Sequence, residues 1–494
     1  MCVCGGVVLG HAPVGGKNKV TAKTGSAATA KMDAFDKMTP LEHKAARSLA
    51  SIYSLRMLGL FMILPVFSLY ADELEGVTPF LIGVAIGVYG LTQAAFQIPM
   101  GMLSDRIGRK PVIAAGLLIF ALGSVVAAMA DSMTGVIIGR ALQGSGAIAA
   151  AIMALAADLT REEQRVKVMA TIGVSIGLSF AVALVGGPIL DAWIGVDGIF
   201  WLTAVLAIGG IFVLYHIVPT PAVSKFHRDA EPIPEQFKVV LRDPELLRLD
   251  AGIFILHMVL TSSFVVLPFA LRDYAGLAII DHWWVYLPVL VISMIIMIPF
   301  VIVAEKHRKM KSVFIGSVAV LALAEMLLMI GYHSLPMIFV ALFLFFIAFN
   351  VLEATLPSLI AKTAPPHIKG TAMGVYSSAQ FLGAFVGGIS GGMIYGGFGL
   401  GGVFMFAMLG LLLWLFLAIT MKNPRYLATF MIHIGPIDEQ RSKQLVKEIT
   451  AITGVAEVII IAEDEIAYLK VDNHALNKED LIRFHYVAPN VPTA

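Results

Sequence analysis

Cysteine is all but absent from this 494-residue chain: Cys2 and Cys4 are its two cysteines, both ahead of any patterned segment. The body of the protein therefore builds neither a disulfide framework nor a thiolate metal site, and redox chemistry is not expected of it. Charge is scarce too, at 14% of residues against 58% hydrophobic, with a formal net charge of +1. No stretch interleaves basic residues with exposed aromatics, which removes nucleic acid as a partner. No nucleophile and base pair or metal-ligand constellation appears either, so an enzyme is the least favoured class and no metal is expected.

What the chain has in excess is apolar length. A helix that crosses a bilayer needs about 20 predominantly apolar residues. Runs of that kind recur from Leu55 to Met421, with starts near residues 55, 80, 112, 134, 168, 198, 250, 284, 312, 335, 370 and 401. The fold class expected is therefore all-α membrane, with twelve transmembrane helices whose partner is the lipid bilayer. Lys and Arg are retained on the cytoplasmic side of a membrane protein. One set of loops carries Arg106, Arg109, Lys110, Arg161, Arg165, Lys238, Arg242, Lys306 and Lys309, while the other carries Arg272 among Asp72, Asp131, Asp197 and Asp273. Both termini are thereby expected in the cytoplasm. Residues 1 to 45, rich in Gly, Ala, Lys and Thr without periodicity, are expected to form a disordered extension, with the true start at Met32 or Met38.

The chain also repeats itself at an offset of about 200 residues, as duplicated transporters do. Two pseudo-symmetric six-helix halves are expected, residues 46–218 and 250–422, joined by a cytoplasmic linker at 219–249. The fifth span is Gly-rich, with Gly173, Gly177, Gly186 and Gly187 before Pro188, and so is the eleventh, with Gly383, Gly387, Gly388, Gly391 and Gly392. Small residues allow backbones to approach closely, so both helices are expected to pack at the interface between the halves.

Gly101-Met-Leu-Ser-Asp105-Arg106-Ile-Gly108-Arg109 after the second span resembles the loop motif of the major facilitator superfamily. Arg140-Ala-Leu-Gln143-Gly144 and Gly186-Gly187-Pro188 resemble the fourth- and fifth-helix motifs of its drug:proton antiporter branch, and with the small domain after residue 425 the chain is most similar to the YajR-type members. The resemblance implies a secondary transporter in a bacterial inner membrane that takes a small-molecule substrate, with protons as coupling ion and no cofactor. It further implies a latch between the halves. Asp105 would accept from the first amides of the eleventh helix near Gly370 and Thr371, where a carboxylate meets the positive end of the helix dipole. Arg109 would pair with Asp158 at the end of the fourth helix. Export is the direction implied; nutrient import, or a transport-silent sensor acting through the tail, are the alternatives.

Ionisable residues within spans are costly and usually functional. Arg140 falls at that depth, with Gln143 one turn on, and the resemblance gives it proton coupling or substrate contact on an open, polar surface of the cavity. Glu353, with Asn350 one turn earlier, is the carboxylate best suited to carry a proton, unless a fixed hydrogen bond holds it neutral. His257 in the seventh span can relay protons or simply pack. Glu325 is expected to be structural. After Pro424 the pattern changes to alternating strands and one helix face carrying Leu445, Ile449 and Ile452, giving a cytoplasmic α+β domain at 425–494 in the order βαββα, similar to ferredoxin-like modules. Ligand binding, self-association or a capping role are its options.

Overall fold

The computed structural model describes residues 37–484 apart from 73, 162–163, 222–233, 366–367, 424–426, 463–464, 473–474, 477–478 and 483. The part of the expected disordered extension up to residue 36 lies outside the described residues.

Helix α1 (Pro40–Phe61) starts well before the span expected from residue 55, so residues 40–45 are helical rather than part of a disordered extension. The cause is a capping box: the Glu42 amide donates to the Thr39 hydroxyl at 3.2 Å and the Thr39 amide to the Glu42 carboxylate at 2.7 Å. Pro40 suits the first turn because the amide it lacks would have no intrahelical partner there. After a turn at residues 62–66 around Pro65 comes the short α2 (Phe67–Ala71). Next come α3 (Pro79–Ile107), α4 (Arg109–Ala128), α5 (Met133–Ser145) and α6 (Ala149–Asp158), the last two forming one interrupted rod.

Helix α7 (Arg165–His216) has 52 residues. At 1.5 Å per residue a straight helix of that length would run about 78 Å, more than twice a bilayer core. It breaks at Gly195, whose φ of 68° and ψ of 172° only glycine adopts readily. The second half repeats the scheme with short α8 (Phe237–Val240), α9 (Pro244–Phe269), α10 (Trp283–Lys306), α11 (Met310–Gly331), α12 (Leu335–Thr363) and α13 (Lys369–Ile419), the last broken at Gly399. Helix α9 starts within the expected linker, because Asp243 caps it and Pro244 opens its first turn. Among the described residues nine helical segments are long and apolar enough to cross a membrane, with α7 and α13 counted once each and α1 not included.

Glycine decides how the halves meet. On α3, Gly83, Gly87 and Gly90 pack against the α13 backbone at Gly388, Gly392, Phe385 and Phe381; a Cβ on Gly87 would stand 2.8 Å from the Phe385 carbonyl oxygen. The other face of α13, at Gly383, Gly387 and Gly391, packs against Phe254, Met258 and Ser262 of α9. This contact lies toward the end of the bundle with the acidic loops, where Arg272 of the second half also reaches Asp72 of the first at 3.5 Å.

The fifth-span glycines do not pack between the halves as expected. Nothing stands within 4 Å of a Cβ built on Gly173, Gly177 or Gly186, and Gly187 meets Met62 and the Pro65 ring of its own half. Gly173 and Gly177 share a ridge of α7 with Phe180, whose ring stands 6.2 Å from both Phe346 and Phe349 of α12. Beyond Phe180 the same ridge looks onto open space. The halves thus touch at the acidic end and around Phe180, and part toward the end with the basic loops.

The tail folds as β1 (Ala428–His433), α14 (Glu439–Thr450), β2 (Val455–Ile461), β3 (Ile466–Val471) and α15 (Glu479–Ile482). Strand β3 lies between β1 and β2, antiparallel to both, so β1-α14-β2 is a split unit of the ferredoxin-like kind. Leu445, Ile449 and Ile452 pack with Ile432, Leu469 and Val471. Lys470, alternating with those two β3 residues, projects from the opposite face and donates to the carbonyls of Lys362 at 3.1 Å and Ala361 at 3.3 Å. An ammonium at the C-terminal end of α12 is where a helix dipole favours it. Arg308 adds an ion pair to Asp472 at 2.7 Å, so the domain is docked on the second half.

Two predictions follow from this packing. Gly388→Val sets a branched side chain against the backbone at Gly83 and Gly87 and should cost about 1–3 kcal/mol or more, as overpacking does. The purified protein should then melt at a lower temperature, while Gly173→Val melts like the parent; equal effects would refute the wedge. Burial, followed by the nearby charge of Lys369, pushes the Lys470 ammonium down to about 8. Its value in an unfolded chain is about 10.4, so the unfolded state binds more protons between these values and the docked domain gains stability as pH rises from about 8 to about 10.4. Lys470→Met should abolish that rise in a melting series, and a slope that survives the substitution would contradict it.

Candidate functional site

Where the halves separate, the second half presents a polar wall. His257 on α9, Asn350 and Glu353 on α12, and Gln380 on α13 converge there, each spaced so that it shares a face with the next polar group on its helix. The Nε2 atoms of Gln380 and His257 lie 2.8 Å apart, and the same His257 Nε2 stands 3.4 Å from Glu353 Oε1. On its other side His257 Nδ1 faces the Ile253 carbonyl at 3.3 Å, a position that calls for a proton on Nδ1. Nε2 then offers a lone pair, and an ionised Glu353 would turn a second lone pair toward it. The Gln380 amide donates into that lone pair, and a proton on the Glu353 carboxyl removes the remaining repulsion between the two facing groups. Asn350 donates to Ser293 of α10 at 3.1 Å, which fixes the wall one turn away. Glu325, expected to be structural, accepts from Ser263 at 2.8 Å inside the second half.

The first half carries the opposite charge. Arg140 is buried, donates to Gln143 at 2.8 Å and to the Ala85 carbonyl at 3.3 Å, and lies over the Tyr89 ring at 5.2 Å. Gln143 in turn donates to Ser124 at 2.7 Å. Arg140 and Gln143 are thus packed within their own half and do not form the open polar surface that their spacing on one face led us to expect. A second buried cation stands beside them: Arg56 on α1 donates to Gln93 at 2.7 Å and to the Gly146 carbonyl at 3.2 Å, between the rings of Tyr89 and Phe120. Arg56 is legible in principle as an ionisable residue within a span. Drawing the first span from residue 55 makes it a boundary residue, whereas α1 places it well inside the helix. Asp250 is missed for the same reason at the start of the seventh span. It is buried, and neither carboxylate oxygen has a hydrogen-bond partner among the described residues.

The motif at the end of α3 forms a compact cluster. Gly101 admits α6 closely, since a Cβ there would stand 2.8 Å from that of Ala150. Gly108, with φ of 96°, links α3 to α4 without a loop. Arg109 is buried and bonds Ser104 at 2.8 Å, Asp158 at 3.3 Å and Asp105. The Arg109 to Asp158 pair is the one expected. Asp105 and Arg106 lie within the last turn of α3 rather than after it, and are exposed. Among the described residues Asp105 bonds Arg109 rather than the start of α13, where the Thr371 hydroxyl donates to Gln236 at 2.9 Å. The parting of the halves at this end accounts for the difference.

Two helical halves around a polar centre, with a charged motif where α3 meets α4, are the build of a secondary transporter. The Major Facilitator Superfamily model matches residues 49–311 and 282–430, and the chain belongs to that family. It is 48% identical over 445 residues, covering 90% of this chain and 98% of the relative, to the inner membrane transport protein YajR of Escherichia coli strain K12. It is 26% identical to the multidrug resistance protein MdtH of Aeromonas salmonicida strain A449, over 69% of this chain and 84% of that one. A bacterial homologue of the human lysosomal transporter Spinster, solved in an inward-facing and occupied conformation, shares the fold at a TM-score of 0.65 and 14% identity, covering 78% of this chain and 98% of that one. The chain is thus a multi-pass membrane transporter and not an enzyme.

Burying a carboxylate without hydrogen bonds is costly, so the neutral isostere at Asp250 should relieve the protein. Asp250→Asn is expected to raise the melting temperature at pH 8; a lower melting temperature would show that Asp250 has a partner that holds it.

Proposed function

We propose that this transporter is a proton-coupled antiporter that exports small molecules across a bacterial inner membrane by rocking its two halves about the central site. The observation that carries this reading is the His257 and Glu353 pair, in which one proton settles two facing groups at the point where the halves part. Proton release is then linked to whatever else enters the site, and the proton gradient is the sole energy source required. Arg140 and Gln143, packed within the first half, supply a fixed positive background to the site, and Asn350 belongs to the polar wall of the second half. Export draws support from the name of the multidrug resistance relative, and the inner membrane from that of the YajR relative.

The chain crosses the membrane twelve times in this reading, with α1–α2 as one span and α7 and α13 supplying two each. Its basic loops and both termini face the cytoplasm, following the retention of Lys and Arg there. The conformation is then open to the cytoplasm. When that end closes, Asp105 comes to the first turn of α13 near Gly370 and Thr371, a dipole contact contributing about 0.3–1 kcal/mol. Arg109, held by Asp158, orients the Asp105 carboxylate for it.

The test is proton movement in proteoliposomes with an imposed pH gradient and a panel of cationic and neutral drugs. A transported compound should release protons from the parent protein, and Glu353→Gln should reduce this by about 100-fold or more, since a positioned proton-transfer group typically contributes 10²–10⁴. Parent-like proton release by Glu353→Gln would remove the pair from the mechanism.

A further inference from the structure

We infer that the groove between the start of α1 and the end of α7 binds the headgroup of an anionic phospholipid. The groove has a volume of about 650 Å³, within the range of pockets that enclose small ligands. One wall is a single stripe of α1: Pro40, His43, Lys44, Arg47 and Ser51 recur at helical spacing and face the same way. That stripe runs about 16 Å along the helix. The other wall is an apolar ledge of Val213 in the last turn of α7 and Ile217 just past its end.

Neither packing nor solvation accounts for such a stripe. A helix face made to pack on α7 would be apolar, and one made for water would intersperse acids with its bases. Here His43, Lys44 and Arg47 line the groove without an ion-pair partner among the described residues. The acid nearest in sequence, Glu42, is turned to the other side of the helix and taken by Arg161 at 2.9 Å. The basic wall meets the apolar ledge at the basic end of the bundle, where exposed Phe212 and Tyr215 continue the apolar surface of α7.

The occupant must then combine negative charge with an acyl chain. An anionic phospholipid supplies both, and basic pockets between helices at the cytoplasmic edge are where such headgroups bind. A zwitterionic lipid brings a cation of its own to a cluster that is already cationic. The chain's own first 36 residues hold four lysines and two aspartates, so their net charge has the same sign as the groove. Free phosphate has no use for the ledge.

Native mass spectrometry of the full-length protein, with phosphatidylglycerol and phosphatidylcholine of matched chains, tests the assignment. The parent should retain phosphatidylglycerol in preference, and Lys44→Gln with Arg47→Gln should weaken that binding about tenfold or more, given the usual worth of each basic residue near a lipid surface. Lys44→Arg with Arg47→Lys should keep it, as should the distant pair Lys306→Gln with Lys309→Gln. Each Gln single variant is expected to lose severalfold, which keeps the test usable if the double variant unfolds. Undiminished binding in the Gln variants, equal loss in the distant pair, or displacement of the lipid by inorganic phosphate would each overturn the proposal. So would a large gain in lipid binding on removal of residues 1–36, which would make that segment the occupant.

Discussion

The rest of the structure depends on the backbone contact between α3 and α13. Gly83, Gly87 and Gly90 bring one helix from each half so close that no Cβ fits between them. In a membrane, where lipid is as apolar as a leucine side chain, such close contact rather than hydrophobicity is what holds helices together. It fastens the halves toward the acidic end and leaves the basic end to be decided by weaker contacts. The aromatic meeting of Phe180 with Phe346 and Phe349 marks where contact stops. Beyond it Gly173 and Gly177 look onto space, and Asp105 is paired within its own half.

Charge is arranged about the same division. The buried cations Arg56 and Arg140 sit in the first half, and the buried carboxylates Asp250 and Glu325, with the half-buried Glu353, in the second. The cations are satisfied in part by amides, carbonyls and the faces of Tyr89 and Phe120, so the first half is a fixed electrostatic background. The second half carries the variable element, because His257 and Glu353 face each other across a gap that one proton closes. In the proposed antiport such a pair is what would link the occupancy of the centre to protonation without needing either helix to distort. The docked C-terminal domain adds its contacts to the same half, through Lys470 on α12 and the Arg308 to Asp472 pair.

Much of this was legible in the chain. Apolar runs located the helices, the repeat divided them into halves, and the motif from Gly101 to Arg109 placed the pair with Asp158. The tail was readable because its strands alternate and its helix carries Leu445, Ile449 and Ile452 on one face. Three things escaped. Hydropathy locates the apolar part of a helix and not its first turn, so the capping box at Thr39 and Glu42 was overlooked, and with it the depth of Arg56. Glycine content shows that a helix can be approached closely and not from where, which is why α7 was assigned the role that α3 plays. The approach of His257 to Glu353 joins two helices far apart in sequence, and no local pattern encodes their distance.

The central claim is that the α3 and α13 contact closes the acidic end in this conformation, and that the halves rock so that this end opens as the basic end closes. The direct measurement is the distance between paired spin labels by pulsed electron resonance, with Cys2 and Cys4 first replaced by serine. One pair would join Arg106 to Lys369 at the basic end, and the other Val77 to Phe398 at the acidic end. On adding a transported compound under an imposed pH gradient, the account predicts that a population with a shortened basic-end distance and a lengthened acidic-end distance appears. Distances that stay fixed, or that change in the same sense at both ends, would contradict it.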